Sequence, residues 1–296
     1  MMLEKMLDAE NALGECVLWC ERSERLLWTD ILGATLYAHH PASGATERWV
    51  MPEPLASFAL TEHAGRLLLG LASQLAFFDF TSGIVTPICE VEPGLATRLN
   101  DGRCDRQGRF VFGTFHHAEP REQVGAYYRL NLDLSLEKLA LPACAIANSI
   151  CFSPDGATMF YCDSPERVIR CCDYDAVSGA LSQPRVFVTL APGAGEPDGS
   201  CIDADGYLWN AQWGASQVVR YAPDGQIERV IATPALQPSC VALGGPGLRT
   251  LYISSARVGI AEPAADDGAV FSHVMADVCG IAESRFRGWR DGALAA

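Results

Sequence analysis

No stretch of this 296-residue chain approaches the ~18 consecutive apolar residues of a membrane-crossing helix. The N-terminus, MMLEKMLDAENALGE, sets acids among its apolar residues and has no continuous hydrophobic region, so it does not read as a secretory signal. The expectation is a cytoplasmic protein with no membrane partner. Positive charge is scarce. Lys and Arg number 22 against 36 Asp and Glu, and the net charge of −14 gives no counterion-release attraction to nucleic acid. Paired CxxC motifs are missing. The twelve cysteines stand singly or in irregular pairs (Cys16/Cys20, Cys171/Cys172), mostly inside apolar runs such as Ser149-Ile150-Cys151-Phe152. They read as reduced, buried, small hydrophobes rather than zinc ligands or a disulfide framework. Long i, i+3, i+4 stripes are absent, which argues against a helical fold. The GxSxG signature of a serine-hydrolase elbow is also absent.

What is present is a repeat. Six segments share one layout of short apolar strand, polar connector, second strand and turn. Examples are LLWTDILGATLYAHHPASG (26–44) and YLWNAQWGASQVVRYAPDG (207–225). Their first strands start at 26, 67, 110, 159, 207 and 250, so the spacings are 41, 43, 49, 48 and 43 residues. Strand pairs at a period in the forties indicate propeller blades. Further short runs before these strands, such as Ser149-Ile150-Cys151-Phe152, read as the innermost strand of each blade. The expected fold is all-β: a six-bladed β-propeller with four antiparallel strands per blade, filling residues 1–296 as one domain. The segment from Glu4 to Ala9 is expected to supply a strand to the last blade and cover its edge.

Innermost strands line a propeller's channel, so polar residues at their starts mark the candidate site. Asp203-Ala204-Asp205-Gly206 reads as an ordinary polar turn before Tyr207-Leu208-Trp209. Pro197-Asp198-Gly199 does not, because it runs straight into the apolar Ser200-Cys201-Ile202. Glu15, Asn100, Asn148 and Asp198 stand at similar points of four different blades, and a ring brings them to one end of the channel. Two carboxylates with one or two amides form an oxygen-donor set suited to a hard cation. Each residue taken alone is also compatible with turn chemistry or a solvated acid; the recurrence of one register carries the reading.

At these residues the chain resembles the gluconolactonase family, which includes regucalcin (senescence marker protein). The matching motifs are "LGECVLW", "TRLNDGRCDRQGRFVFGT", "ANSICFSPDGATMFYCDS", "PDGSCIDADGYLWNAQWG" and "ESRFRG", in order along the chain. The resemblance implies a six-bladed propeller and one divalent metal ion held by Glu15, Asn148 and Asp198, with Arg98 and Asn100 at substrate-binding positions. Calcium, zinc, manganese, magnesium and Fe(II) all remain open as that ion. Cys16 and Ser149 depart from the family's glycines. The segment Phe115-His116-His117-Ala118-Glu119 follows Gly113-Thr114, where relatives vary, and is expected to tune substrate choice. Adjacent strand residues face opposite sides, so at most one of the two histidines faces the channel. His116 is the candidate substrate contact.

The activity implied is metal-dependent opening of a sugar-acid lactone, such as L-arabinono-, xylono-, galactono- or gluconolactone, to the free acid. Asp198 is the candidate acid/base, and the partner is a small-molecule sugar lactone bound to a monomer or weak homo-oligomer. Two alternatives stand beside it: a phosphotriesterase-like metal-dependent hydrolase, which needs a more apolar pocket, and a non-enzymatic calcium-binding regulator, which needs more ligands and a two-state element.

Overall fold

The structure is a computed structural model that describes residues 3–288. Six antiparallel four-stranded sheets form a ring. Blade one runs outward through Gly14–Cys20, Arg25–Asp30, Thr35–His40 and Ala45–Val50. The innermost strands of the next five blades are Leu55–Leu60, Thr97–Cys104, Ala147–Phe152, Glu196–Ile202 and Pro238–Gly244. Each innermost strand packs against those of its two neighbours, so the ring closes. Glu4–Leu7 is the outermost strand of the sixth blade, pairing Glu4 with Ser272 and Lys5 with Phe271. This first-to-last seam covers an edge that would otherwise be open. Among the described residues the only helical pieces are two 3₁₀ turns, Ser164–Glu166 and Pro246–Leu248.

Why the inner strands read as nearly continuous apolar runs is now plain. Both faces of each blade are buried against the neighbouring blades. Alternation along one strand divides the side chains between two interfaces. Leu27 joins the cluster between blades one and two, with Leu18, Phe58 and Leu69. Leu26 and Trp28 join the cluster between blades six and one, with Val17, Ala242 and Tyr252. The outermost strands have one blade edge in solvent, and Ala45–Val50 is almost wholly exposed. All twelve cysteines are free, and all but Cys89 and Cys279 are buried. Burial pushes thiols such as Cys144, Cys172 and Cys201 up to about 12, as expected of inert packing groups.

Asp203 is not the ordinary turn residue expected. It is fully buried. Its Oδ1 accepts the backbone N–H groups of Asp205 and Tyr207, and its Oδ2 accepts Trp209 Nε1 and both Nε and Nη2 of Arg220. Asp105 has the same part in blade three, accepting Gln107 N, Arg109 N, the Arg109 guanidinium and the Tyr174 hydroxyl. The turn carboxylate thus ties its hairpin to an arginine and an aromatic, a buried pairing that the local sequence does not reveal.

One glycine positions the site. A Cβ on Gly113 would lie 2.1 Å from the Cβ of Ala147, the residue before Asn148. Real atoms do not approach so closely, so Gly113→Ala must push the innermost strand of blade four aside. The expected result is a loss of about 1–3 kcal/mol in urea denaturation, as for other overpacked cores.

The two channel ends differ. Residues 279–287 cross the end where the innermost strands finish. Gly280 bridges to Asp203, the Phe286 amide donates to Leu60 O, and Arg103 pairs with Glu283 at 2.9 Å. The end where those strands begin holds a cavity of about 480 Å3.

Candidate active site

Every innermost strand is bulged at one level of the ring. The pairing register slips between Glu15 and Leu18, Leu55 and Ser57, Leu99 and Gly102, Asn148 and Cys151, Pro197 and Ser200, and Pro238 and Cys240. A bulge kinks its strand and re-aims a side chain. In four blades the affected segments carry Glu15, Asn100, Asn148 and Asp198, and all four line the cavity. Cys16 and Ser149, which follow Glu15 and Asn148, have φ of 48° and 58°. A residue other than glycine pays about 1–2 kcal/mol for this left-handed backbone. Both side chains are hydrogen-bonded to a neighbouring blade. Cys16 Sγ accepts Phe58 N, and Ser149 Oγ donates to Asp198 O at 2.6 Å.

Arg98 lines the same cavity. Its Nη1 donates to Leu99 O and to Asn100 Oδ1, both at 2.8 Å. Its guanidinium lies 4.3 Å over the Phe115 ring, with that of Arg121 at 5.1 Å from the same ring. Asn100 commits both N–H donors, one to Ala147 O and one to Asn148 Oδ1, so only its carbonyl oxygen has capacity left for a ligand.

His116 is placed elsewhere. It is buried, and its Nδ1 accepts the backbone N–H of Glu122, which pins the following loop. The exposed neighbour His117 lines the cavity instead. Alternation from Phe115 to His117 sets this outcome, as both share the face opposite His116. The cavity wall also includes Glu196, Trp213, Gln237, Arg121 and Ser164, none of which the sequence reading singled out. Glu196 was within reach of that reading, because it stands two residues before Asp198 on one strand. Trp213 faces Glu196 across the strand pair. Arg121 lies on a loop, where no periodicity points to it.

Burial dominates the electrostatics of the charged groups on the cavity wall. Burial pushes the Glu15 carboxyl up to about 8, and the charge of Asp101 adds to the rise. Burial also raises Asp198 well above the usual carboxylate range, with Glu15 and then Asp101 adding to it. Burial lowers Arg98 to about 10, while Glu15 and Asp198 hold its charge. Among the described residues neither Glu15 nor Asp198 makes a salt bridge with a side chain. Two buried carboxyls of this kind are held neutral by protonation or stabilised as carboxylates by a positive partner. No three His, Cys, Asp or Glu side chains among the described residues cluster as a metal centre. The donor set reaches three only with the amide oxygen of Asn148. Its chemistry, oxygen throughout, fits a hard divalent ion.

Fold and site together define a six-bladed propeller with an axial small-molecule cavity at one end of its channel. The chain belongs to the SMP-30/gluconolactonase/LRE-like family, whose pattern matches residues 13–257. It is 52% identical over 288 residues to the L-arabinolactonase of Azospirillum brasilense, covering 96% of this chain and 95% of that protein. It is 35% identical to the 6-deoxy-6-sulfogluconolactonase of Pseudomonas putida, covering 97% and 99% of the two chains. Among solved structures it resembles regucalcin from Agrobacterium tumefaciens, described as a calcium-binding protein. The TM-score is 0.89 and the identity 30%, covering 95% of this chain and 96% of that one.

Proposed function

We propose that this protein is a metal-dependent sugar lactonase, with a pentonolactone of the L-arabinonolactone type as its substrate. The protein is a carboxylic ester hydrolase acting on sugar lactones. The observation that carries the reading is one cavity wall that joins Glu15, Asn148 and Asp198 with Arg98 and Asn100. Its volume of about 480 Å3 is within the range of small-molecule sites. The similarity to an L-arabinolactonase over nearly the whole of both chains supports the choice of sugar.

Glu15, Asn148 and Asp198 would hold the divalent ion, and all-oxygen donors favour calcium, magnesium or manganese. When bound, such an ion supplies Lewis-acid polarisation of an ester carbonyl. The remaining chemistry belongs to the chain. Asp198 takes the proton of the attacking water as the new C–O bond forms, and it returns that proton to the ring oxygen as the ester C–O bond breaks. The product acid then ionises and releases one proton to solvent. A carboxylate has two oxygens and several lone pairs, so Asp198 can serve as ligand and as base. Arg98 uses only Nη1 in the hydrogen bonds described above, leaving Nε and Nη2 to hold sugar hydroxyls, while Asn100 Oδ1 accepts one.

Proton release on a panel of aldonolactones tests this. L-arabinonolactone is expected to open well above its spontaneous rate, to lose that excess in chelator, and to regain it on return of a divalent ion. A protein with full metal that opens no aldonolactone faster than buffer would sink the reading.

A further inference from the structure

Ser164 belongs to the motif "ANSICFSPDGATMFYCDS" but has no part in the chemistry above. It sits at the start of the 3₁₀ turn Ser164–Glu166, buried, on the cavity wall. It is the last side chain in a chain of hydrogen bonds that crosses three blades and ends on Pro197 O. Arg98 Nη1 donates to Asn100 Oδ1 at 2.8 Å. Asn100 Nδ2 donates to Asn148 Oδ1 at 3.0 Å. Asn148 Nδ2 donates to Ser164 Oγ at 2.9 Å, and Ser164 Oγ donates to Pro197 O at 2.7 Å.

The chain has a direction because its ends have no choice. A guanidinium can only donate, and a backbone carbonyl can only accept. Between them are two amides and a hydroxyl, each of which could in isolation point either way. The Ser164 proton is committed to Pro197 O, so toward Asn148 the hydroxyl can only accept. The Asn148 NH2 must therefore face Ser164, and its oxygen must face Asn100. Turning the amide over would set the NH2 of Asn148 against that of Asn100 and leave its buried oxygen facing Ser164. An unmade buried hydrogen bond disfavours that orientation.

We propose that Ser164 is a positioning residue: its hydroxyl, committed to Pro197 O, selects which end of the Asn148 amide is presented to the divalent ion. The inference rests on the metal role of Asn148 proposed above. One lone pair of Asn148 Oδ1 is taken by Asn100, and the second is the one kept for the ion. Without the Ser164 hydroxyl the amide loses one of its two orienting partners. The other, Asn100, is an amide whose own direction rests on Arg98.

The test is a double-mutant cycle read by calorimetric titration of the full-length protein with Mn2+, in which Ser164→Ala is made both alone and with Asn148→Asp. An aspartate has oxygen at both ends, so it has no wrong orientation. Ser164→Ala alone is expected to weaken Mn2+ binding about 10–100-fold, the usual range for an outer partner of a metal ligand. In the Asn148→Asp background the same substitution is expected to change the affinity less than about threefold, giving a clear coupling term. Loss of packing at residue 164 would weaken binding equally in both backgrounds, and that result overturns the proposal. So does wild-type affinity in Ser164→Ala. If the wild-type protein itself bound no Mn2+, the metal reading would fall and this inference with it. Wild-type binding with no effect of Ser164→Ala removes this inference alone.

Discussion

Asp198→Asn is expected to lower kcat for lactone opening by about 10²–10⁴-fold, the usual contribution of a general base. The variant should fold normally, for a reason visible in the structure. The position is held through its main chain: Ser149 Oγ and Asn210 Nδ2 both donate to the Asp198 carbonyl, at 2.6 and 3.0 Å. Neither bond involves the carboxylate. Asparagine keeps the shape and one oxygen, so part of the metal affinity should survive without turnover. In chelator the variant should melt at or above the temperature of the wild-type protein. Burial and the charge of Glu15 both oppose ionisation of Asp198, and a neutral amide feels neither. Steady-state kinetics with metal analysis of the same sample separates these effects. A variant with wild-type kcat would remove Asp198 from the reaction.

Asp203→Ala has the larger expected effect on stability. Arg220 would remain buried without the carboxylate that takes its Nε and Nη2, and Trp209 Nε1 would lose its partner. Breaking a buried pair from one side costs about 3–5 kcal/mol. Glu228 still reaches Arg220 Nη1 at 3.0 Å and limits the loss, which should therefore fall toward the lower end. The Asp205→Ala control sits two residues away in the same turn, and its side chain is 69% exposed. It should stay within about 0.5 kcal/mol of the parent. If the two substitutions shifted the urea midpoint equally, Asp203 would be a turn residue after all.

The difference between those two aspartates shows where reading the sequence reaches its end. Both stand in a D-x-D-G turn, and the turn chemistry is local, so the hairpin was legible. The partner of Asp203 is Arg220, 17 residues further on and one strand over. No local pattern reports a cross-strand ion pair, because strand alternation fixes which face a residue takes and not what stands on that face. The histidines illustrate the same limit one step earlier. Alternation required that at most one of His116 and His117 face the channel. Choosing between them needed the register of Phe110–His116 against the bulged strand Thr97–Cys104.

The sequence by itself determined the number of blades, their strand pairs, the first-to-last closure and the residues that gather at one end of the channel. Each of these follows from short-range regularities: a repeat in the forties, period-two alternation, and turn residues at fixed offsets. Tertiary structure alone decided the rest. It put His117, Arg121, Glu196 and Trp213 on the cavity wall and withdrew His116 from it. It closed the far channel end with residues 279–287, and it ran one directed line of hydrogen bonds from Arg98 through Ser164 to Pro197 O. The physical reason is that ring closure sets six bulged strands side by side. Contacts between residues some fifty positions apart then depend on the angle and register at which each blade meets the next.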